Sequence, residues 1–201
     1  MVIKKNLEKK FALISVYNKD RLAYLCENLS KHNFHFISTG STGNRIRQLG
    51  FKCLDVSKMT KFKEMLDGRV KTLNPKIYSS ILYIRNKGTH RKQFLSLKIP
   101  EIDMVIVNLY PFEKFINANV DKVIEMIDIG GPSLLRAAAK NYKFITTITN
   151  VNDYSKLISN LKKNNGFTDN NFRKFMSAKT FKMTYEYDKL IYKWFNEKNK
   201  Q

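Results

Sequence analysis

The residues of this chain most suited to chemistry lie in one octet, residues 66–73, which reads LDGRVKTL. Gly68 permits a tight turn, Arg69 and Lys71 follow two positions apart, and the hydroxyl of Thr72 stands beside the lysine. A guanidinium fork, an ammonium point charge and a neutral donor on one loop suit a bound anion. The octet alone therefore predicts a phosphate or carboxylate ligand.

Three further segments carry polar residues that could act with the octet: VNLYPF at 107–112, IDIGG at 127–131 and LLRAAAKN at 134–141. Asp128 and Lys140 could form a plain ion pair, or a buried pair that passes protons because each partner tunes the other. Asn108 and Tyr110 could belong to the site, or be a strand-end cap and a core residue ahead of Pro111, whose ring fixes the chain's exit direction.

The elements that must position these residues alternate between strand and helix patterns. We predict strands over residues 11–16, 34–37, 103–109 and 144–149. We predict helices over residues 19–31, from the end of segment 38–43 to Leu49, from Gly130 onward and over residues 172–195. Residues 160–171 are predicted to form a surface turn. Strands that alternate with helices predict a parallel sheet covered on both faces, in which ligands bind at the carboxyl ends of the strands.

Three polar segments fall at those predicted strand ends: residues 15–19, 38–43 and 108–112. The phosphate-binding candidates in the first two are Ser15, Lys19, Thr39, Gly40 and Thr42, through hydroxyls, one charge and backbone amides. From spacing alone, ordinary turn chemistry after two strands explains the same residues slightly better. The sequence GGPS at 130–133 opens a helix, where unpaired amides and the positive end of the dipole could receive an anion or oxyanion.

Composition limits the class of protein. With 201 residues, 43% of them hydrophobic, the chain can form one well-packed domain. No segment approaches the roughly 20 apolar residues of a membrane span, and the basic N-terminus lacks the apolar region of a secretion signal. Cys26 and Cys53 fit structural thiols of a reducing cytoplasm. We therefore expect a cytoplasmic protein without a membrane partner or a metal.

The net charge of +20 would suit a nucleic-acid-binding protein, but its distribution does not. The chain has 29 Lys against 8 Arg, spread along its length, and 20 Asn, a joint enrichment that an AT-rich genome produces through its codons. We expect no specific nucleic-acid partner. His32, His35 and His90 match no catalytic motif, and we expect structural or surface roles for them.

The four blocks, in this order, resemble the IMP cyclohydrolase domain of the bifunctional purine-biosynthesis enzyme AICAR formyltransferase/IMP cyclohydrolase, from about Phe11 to about Asp188. The resemblance implies a three-layer α/β fold with a mostly parallel central sheet, like that of methylglyoxal synthase. It implies dehydrative ring closure of the ribonucleotide FAICAR to inosine monophosphate (IMP), without cofactor or metal. We expect one cyclohydrolase domain over residues 1–201, with a core over about 11–150 and a C-terminal helical part over about 151–197.

The resemblance also assigns roles to residues. The catalytic candidates are Lys71, Tyr110, Asp128 and Lys140, and the substrate-binding candidates are Ser15, Lys19, Thr39, Gly40, Thr42, Arg69, Thr72, Asn108, Gly130 and Gly131. Proteins of this family usually continue into a formyltransferase domain, whereas this sequence stops at Gln201, so we expect that domain to be absent and a separate formyltransferase to be a possible partner. An excised domain and a natural stand-alone enzyme both fit. We also expect a homodimer.

The sequence departs from the family pattern at several positions. Tyr17 stands where a second serine is usual, Ser41 replaces a glycine of the phosphate loop, Asn74 replaces a histidine, and Tyr78-Ser79-Ser80 replaces a His-small-Gly run. Tyr17 and Ser41 add side chains where a ligand approaches closely, so they threaten affinity. We expect a drifted but working enzyme, with a weak or inactive one as the alternative.

Three other functions compete with this one. A regulatory domain such as that of carbamoyl-phosphate synthetase would sense a nucleotide without chemistry, and would need the phosphate grip but no proton relay. An RNA-binding protein would show an RNA motif or regular aromatic and basic interleaving, neither of which is present. Methylglyoxal synthase shares the general architecture, but the block NLYPF at 108–112 points away from it.

Overall fold

Residues 9–198, which a computed structural model describes, contain a five-stranded sheet in which all neighbouring strands are parallel. Its strands are β1 (Lys10–Val16), β2 (Phe34–Ser38), β3 (Cys53–Asp55), β4 (Ile102–Asn108) and β5 (Thr146–Ile148), in the order β3-β2-β1-β4-β5. The chain builds outward from β1 on one side and then returns to its other side. Ligands in open parallel sheets bind where the order reverses in this way, here between β1 and β4.

Helices cover both faces of this sheet. They are α1 (Leu22–Lys31), α2 (Gly40–Gln48), α3 (Val56–Thr60), α4 (Pro75–Leu82), α5 (Gly88–Ser96), α6 (Val120–Glu125), α7 (Gly130–Lys140), α8 (Tyr154–Lys163) and α9 (Asn170–Lys198). Short 3₁₀ turns lie at Leu66–Gly68, Phe112–Lys114 and Val151–Asp153. The predicted α/β fold with a largely parallel sheet is confirmed.

The core follows from the alternation of side chains along β1. Ala12 and Ile14 pack with α1 and α8 on one face, whereas Leu13 packs with α4 and α7 on the other. Because both faces are buried, the strand reads as a continuous apolar run, as expected for a parallel sheet. A third, smaller cluster joins Phe112 and Val123 to the C-terminal helix α9.

The pairing register brings the polar strand ends together. Val16 of β1 pairs with Asn108 of β4, and Ile14 pairs with Ser38 of β2. The residues after these three strands therefore emerge side by side at one edge of the sheet. This edge is where the sequence predicted the site.

Several element predictions need correction. Segment 38–43 was expected as a loop before a helix, but α2 begins at Gly40, so the polar residues form the first turn of the helix itself. The turn expected over 160–171 starts too early, because α8 continues to Lys163. The strand β3 was missed because it has only three residues, Cys-Leu-Asp. All three are partly exposed, so the strand does not need the apolar run by which the other strands were recognised. Within residues 9–198, no helix combines the length and apolar character needed to cross a membrane.

Candidate active site

A cleft opens at the carboxyl ends of β1, β2 and β4, and it has two adjoining lobes of about 560 and 270 Å³. The larger lobe is lined by the octet, by residues 124–131 and by Leu134. The smaller lobe is lined by the loop after β1, by the first turn of α2 and by Asn108. Five residues line both lobes and so mark their junction: Ser15, Thr39, Lys71, Tyr110 and Asp128.

The cleft collects almost all the predicted site residues. Those that line it are Ser15, Lys19, Thr39, Gly40, Thr42, Arg69, Lys71, Thr72, Asn108, Tyr110, Asp128, Gly130 and Gly131. Lys140 is the exception. It is exposed and is the last residue of α7, about 15 Å along the helix axis from Gly130. The predicted pair of Asp128 with Lys140 is therefore not formed, because the helix separates them, and a relay through Lys140 has no geometric support within one chain.

The octet forms a narrow hairpin with a strained tip. Met65 and Val70 exchange backbone hydrogen bonds of 3.0 and 3.2 Å, and between them Leu66, Asp67 and Gly68 have φ values of 52°, 53° and 91°. Left-handed backbone costs on the order of 1–2 kcal/mol for a residue other than glycine. Such strain is concentrated at functional sites, where the surrounding structure holds it. Here the hairpin presents its two cations to the larger lobe.

Both cations of the octet are paired with carboxylates. Lys71 Nζ lies 2.8 Å from Glu64 Oε2, across the hairpin, and Arg69 pairs with Glu125 of α6. More than half of the side-chain surface of Arg69 and of both glutamates is exposed. Because exposed ion pairs contribute only about 0–1 kcal/mol, a ligand anion can compete for these cations at small cost.

Lys71 reaches the smaller lobe because Gly40 leaves room for it. Gly40 has a φ of 48°, and a Cβ at that position would lie 3.2 Å from Lys71 Nζ. The first turn of α2 starts at this glycine, so amides without an intrahelical partner and the lysine face the same space. Free amides at a helix start suit a phosphate group, and Lys71 lies between this lobe and the larger one.

Two of the predicted binding side chains have their polar groups occupied by the fold. The hydroxyl of Thr42 donates to Val16 O at 3.0 Å and accepts from Val16 N at 3.1 Å. The amide of Asn108 accepts from Asn18 N at 2.9 Å and donates to Asn18 O at 3.0 Å. Both residues line the smaller lobe, but these contacts hold its walls in place, so a direct grip on the ligand by these groups stays a prediction.

Asp128 sits against the start of α7. Its Oδ1 accepts a hydrogen bond of 2.8 Å from Gly131 N. A Cβ at Gly131 would overlap the Asp128 carboxylate, and one at Gly130 would lie 2.8 Å from Thr72 Oγ1, so the two glycines permit this close packing. Burial raises the pKa of the Asp128 carboxyl, while the amides of Gly131 and Gly130 oppose that shift. A carboxyl with a raised pKa in a cleft is a candidate for proton transfer.

The departures from the family pattern have local explanations. The Tyr17 ring lies 4.9 Å from the Tyr110 ring, so the two tyrosines together border the smaller lobe. Asn74 caps α4 by accepting from Lys76 N at 3.0 Å, and Tyr78 donates to Ser133 Oγ of α7 at 2.7 Å. Ser41 is exposed on the wall of the smaller lobe.

Sequence reasoning missed several residues in the cleft or in contact with its lining. Glu64 and Glu125 are partners of the key cations but belong to no motif, and only the hairpin register could have placed Glu64 opposite Lys71. The apolar lining of the larger lobe was also missed. It consists of Ile124, Met126, Ile127, Ile129 and Leu134.

The sheet order and the two-lobed cleft define an α/β domain with a cleft at the carboxyl edge of its sheet, and comparison with known proteins gives its family. The chain belongs to the MGS-like domain family, which matches residues 21–133. The AICARFT/IMPCHase bienzyme family matches residues 138–201. The predicted resemblance is therefore confirmed, and two adjoining parts of the chain carry it.

The relatives extend this similarity over nearly the whole chain. The bifunctional purine biosynthesis protein PurH of Magnetococcus marinus is 43% identical over 92% of this chain, and that of Rhizobium rhizogenes is 42% identical over 95%. The chain spans only 35 and 36% of these two relatives. A crystal structure of ForH superposes with a TM-score of 0.81 at 25% identity, covering 94% of this chain and 100% of that one.

Proposed function

We propose that this chain is an IMP cyclohydrolase of purine biosynthesis, which closes the ring of FAICAR with loss of water to give IMP. The observation that carries the proposal is the position of Lys71, Tyr110 and Asp128, which line both lobes at their junction. A polar lobe beside the start of α2 suits the ribonucleotide phosphate. The larger, partly apolar lobe suits the imidazole ring and its two substituents.

Catalysis of this reaction depends mainly on positioning of the two reacting groups and on proton transfer. The carboxamide nitrogen attacks the formamido carbon of the same molecule, a C–N bond forms, and the formyl oxygen takes up two protons and leaves as water. Because both reacting groups belong to one ligand, fixing the reactive rotamer removes much of the barrier. Charge that develops on the formyl oxygen must be stabilised.

The side chains at the junction match these needs. Lys71, held over the start of α2 next to Gly40, is the candidate that polarises the formyl oxygen. Asp128 has a carboxyl whose pKa is raised by burial, so it can exchange a proton closer to neutrality than an exposed aspartate. Tyr110 borders both lobes and supplies a phenol for orienting the carboxamide or relaying a proton.

The direct test is to incubate the chain with FAICAR and measure IMP by absorbance or mass. We expect turnover without added metal, folate or nicotinamide, and no formylation of AICAR. Lys71→Ala should lower kcat by at least about 100-fold, because loss of one electrostatic donor has that effect. Lys92→Ala, which removes an exposed lysine of α5, is the matched control and should leave kcat unchanged. A folded Lys71→Ala variant with normal turnover would remove Lys71 from the mechanism.

The alternative is a nucleotide-sensing module of the same fold. It would bind IMP but leave FAICAR unchanged. A ligand at a hundredfold excess over Kd stabilises by about 2.7 kcal/mol whether or not the protein is an enzyme, so a thermal shift with IMP tests binding in both cases. Turnover of FAICAR separates the two, because an IMP-stabilised chain that leaves FAICAR unchanged would be the sensor. The junction residues favour the enzyme, because a sensor needs to bind the phosphate but does not need a carboxyl suited to proton transfer at the junction of the two lobes. A homodimer, a separate formyltransferase and a cytoplasmic location stay predictions.

A further inference from the structure

The C-terminal helix α9 contacts the candidate active site through one buried tyrosine. Tyr187 is 7% exposed, and its hydroxyl accepts a hydrogen bond of 2.8 Å from the backbone N–H of Asp128. Its ring meets the ring of Phe112 edge to face, with centroids 6.3 Å apart. Phe112 is 1% exposed and follows Tyr110 by two residues.

Tyr187 therefore holds two segments of the cleft at once. Two hydrogen bonds fix Asp128: its carboxylate accepts one from the N–H of Gly131, and its own backbone N–H donates one to the Tyr187 hydroxyl. Without the hydroxyl, the peptide before Asp128 would lose this partner in a partly buried setting, which favours a different orientation. The ring packing against Phe112 reaches the segment that carries Tyr110.

We infer that Tyr187 is a positioning residue, which acts through the Asp128 backbone to hold the Asp128 carboxyl in its reactive place. The inference rests on the proposed cyclohydrolase function. Tyr187 lies outside the lining of both lobes, so it acts through Asp128 rather than by touching the ligand. Displacements of about 1 Å at a reacting group can cost on the order of 100-fold in rate.

The test is Tyr187→Phe, which removes one oxygen and keeps the ring. We expect kcat with FAICAR to fall at least about tenfold while KM stays within about twofold, because the smaller lobe is built from other elements. Tyr185→Phe removes an exposed hydroxyl from the same helix and should change neither constant. Ile158→Val in the buried core on α8 lowers Tm without touching the cleft, and it shows what stability loss alone does to kcat.

The outcomes separate this inference from the proposed function. A wild-type chain that makes no IMP overturns the proposed function and the catalytic role with it, while hydrogen exchange of the Asp128 amide still reports whether Tyr187 holds that peptide. If exchange at Asp128 rises in Tyr187→Phe but kcat stays within twofold of the wild type, the positioning role is wrong. Should Tyr187→Phe fail to fold, 3-fluorotyrosine at position 187 weakens the acceptor with the hydroxyl retained, and kcat should still fall; an unchanged kcat there overturns the inference.

Discussion

Two aspartates at opposite ends of the sheet are both held in partly buried surroundings, but they differ in what compensates their charge. Asp103 is near the start of β4, where Oδ2 accepts from Phe11 N at 2.8 Å and Oδ1 accepts from Arg85 at 3.0 Å. Asp128 lies at the carboxyl edge, where Gly131 N donates to it at 2.8 Å. Burial raises the pKa of both carboxyls. The opposing influence is mainly the Arg85 guanidinium for Asp103 and backbone amides for Asp128.

The difference shows how the same residue type serves structure in one place and is available for chemistry in another. A guanidinium and a backbone N–H occupy both oxygens of Asp103, so this carboxylate joins β1, β4 and the segment after α4. Asp128 faces the cleft at the junction of the two lobes, and helix amides rather than a cation oppose its desolvation. A raised pKa in that setting favours a functional assignment.

The largest expected effect is on turnover. Asp128→Asn keeps the size of the side chain and an oxygen for the Gly131 amide, but it removes the titratable proton. We expect kcat for conversion of FAICAR to fall by about 100-fold or more, in the range that general acid–base groups contribute. Steady-state kinetics at neutral pH measure this effect. Turnover within about threefold of the wild type in a folded variant would remove Asp128 from proton transfer.

The structural aspartate should respond in the opposite way. Asp103→Asn replaces one acceptor oxygen with a donor, so either Phe11 N loses its side-chain acceptor or Arg85 loses one of its acceptors and keeps Glu101 and Ile102 O. Leaving a buried donor unpaired costs about 1 to 3 kcal/mol, and we expect that loss of stability in urea unfolding with kcat unchanged. A lower kcat with unchanged stability would show that Asp103, near the start of β4, influences the site at the other end of the strand. Its role would then not be structural alone.

The sequence located the carboxyl edge well because strong local signals agree there. The apolar runs of β1 and β4 and the polar residues that follow them predicted a site between these strands, and their pairing brings the two ends together. Locating the site at this edge required no knowledge of side-chain contacts, because the carboxyl ends of the strands in a parallel sheet meet at one edge.

What the sequence could not supply depends on three-dimensional packing. The hydrogen-bond partners of the Thr42 hydroxyl and the Asn108 amide lie on backbone 26 and 90 residues away. The sequence could not show that the fold occupies these two groups, and ligand binding by them stays a prediction. Lys140 was predicted as a partner of Asp128 because the two residues are only 12 positions apart in the sequence. The helix α7 lies between them and keeps their side chains apart. Tyr187 carries no motif, and its link to Asp128 spans 59 residues.

The smallest expected effect is a pH dependence of stability that both aspartates share. Because burial raises the pKa of Asp128 in the folded chain above the ordinary value of about 3.9, the folded state binds this proton more tightly than the unfolded state does. Stability must then fall as the pH rises from the ordinary pKa through the raised one, and this loss is absent when residue 128 cannot ionise. The stability of Asp128→Asn relative to the wild type should therefore increase between about pH 4 and pH 7.

Asp103→Asn should show the same trend, because burial also raises the pKa of Asp103, but from a lower starting stability. Urea unfolding across this range measures both differences. The repulsion from the net charge, which is +20 in the wild type and one unit higher in each variant, largely cancels. A relative stability of Asp128→Asn that stays constant or decreases with pH would mean that the folded chain does not hold the Asp128 proton more tightly, and the contrast between the two aspartates would then rest on their partners alone.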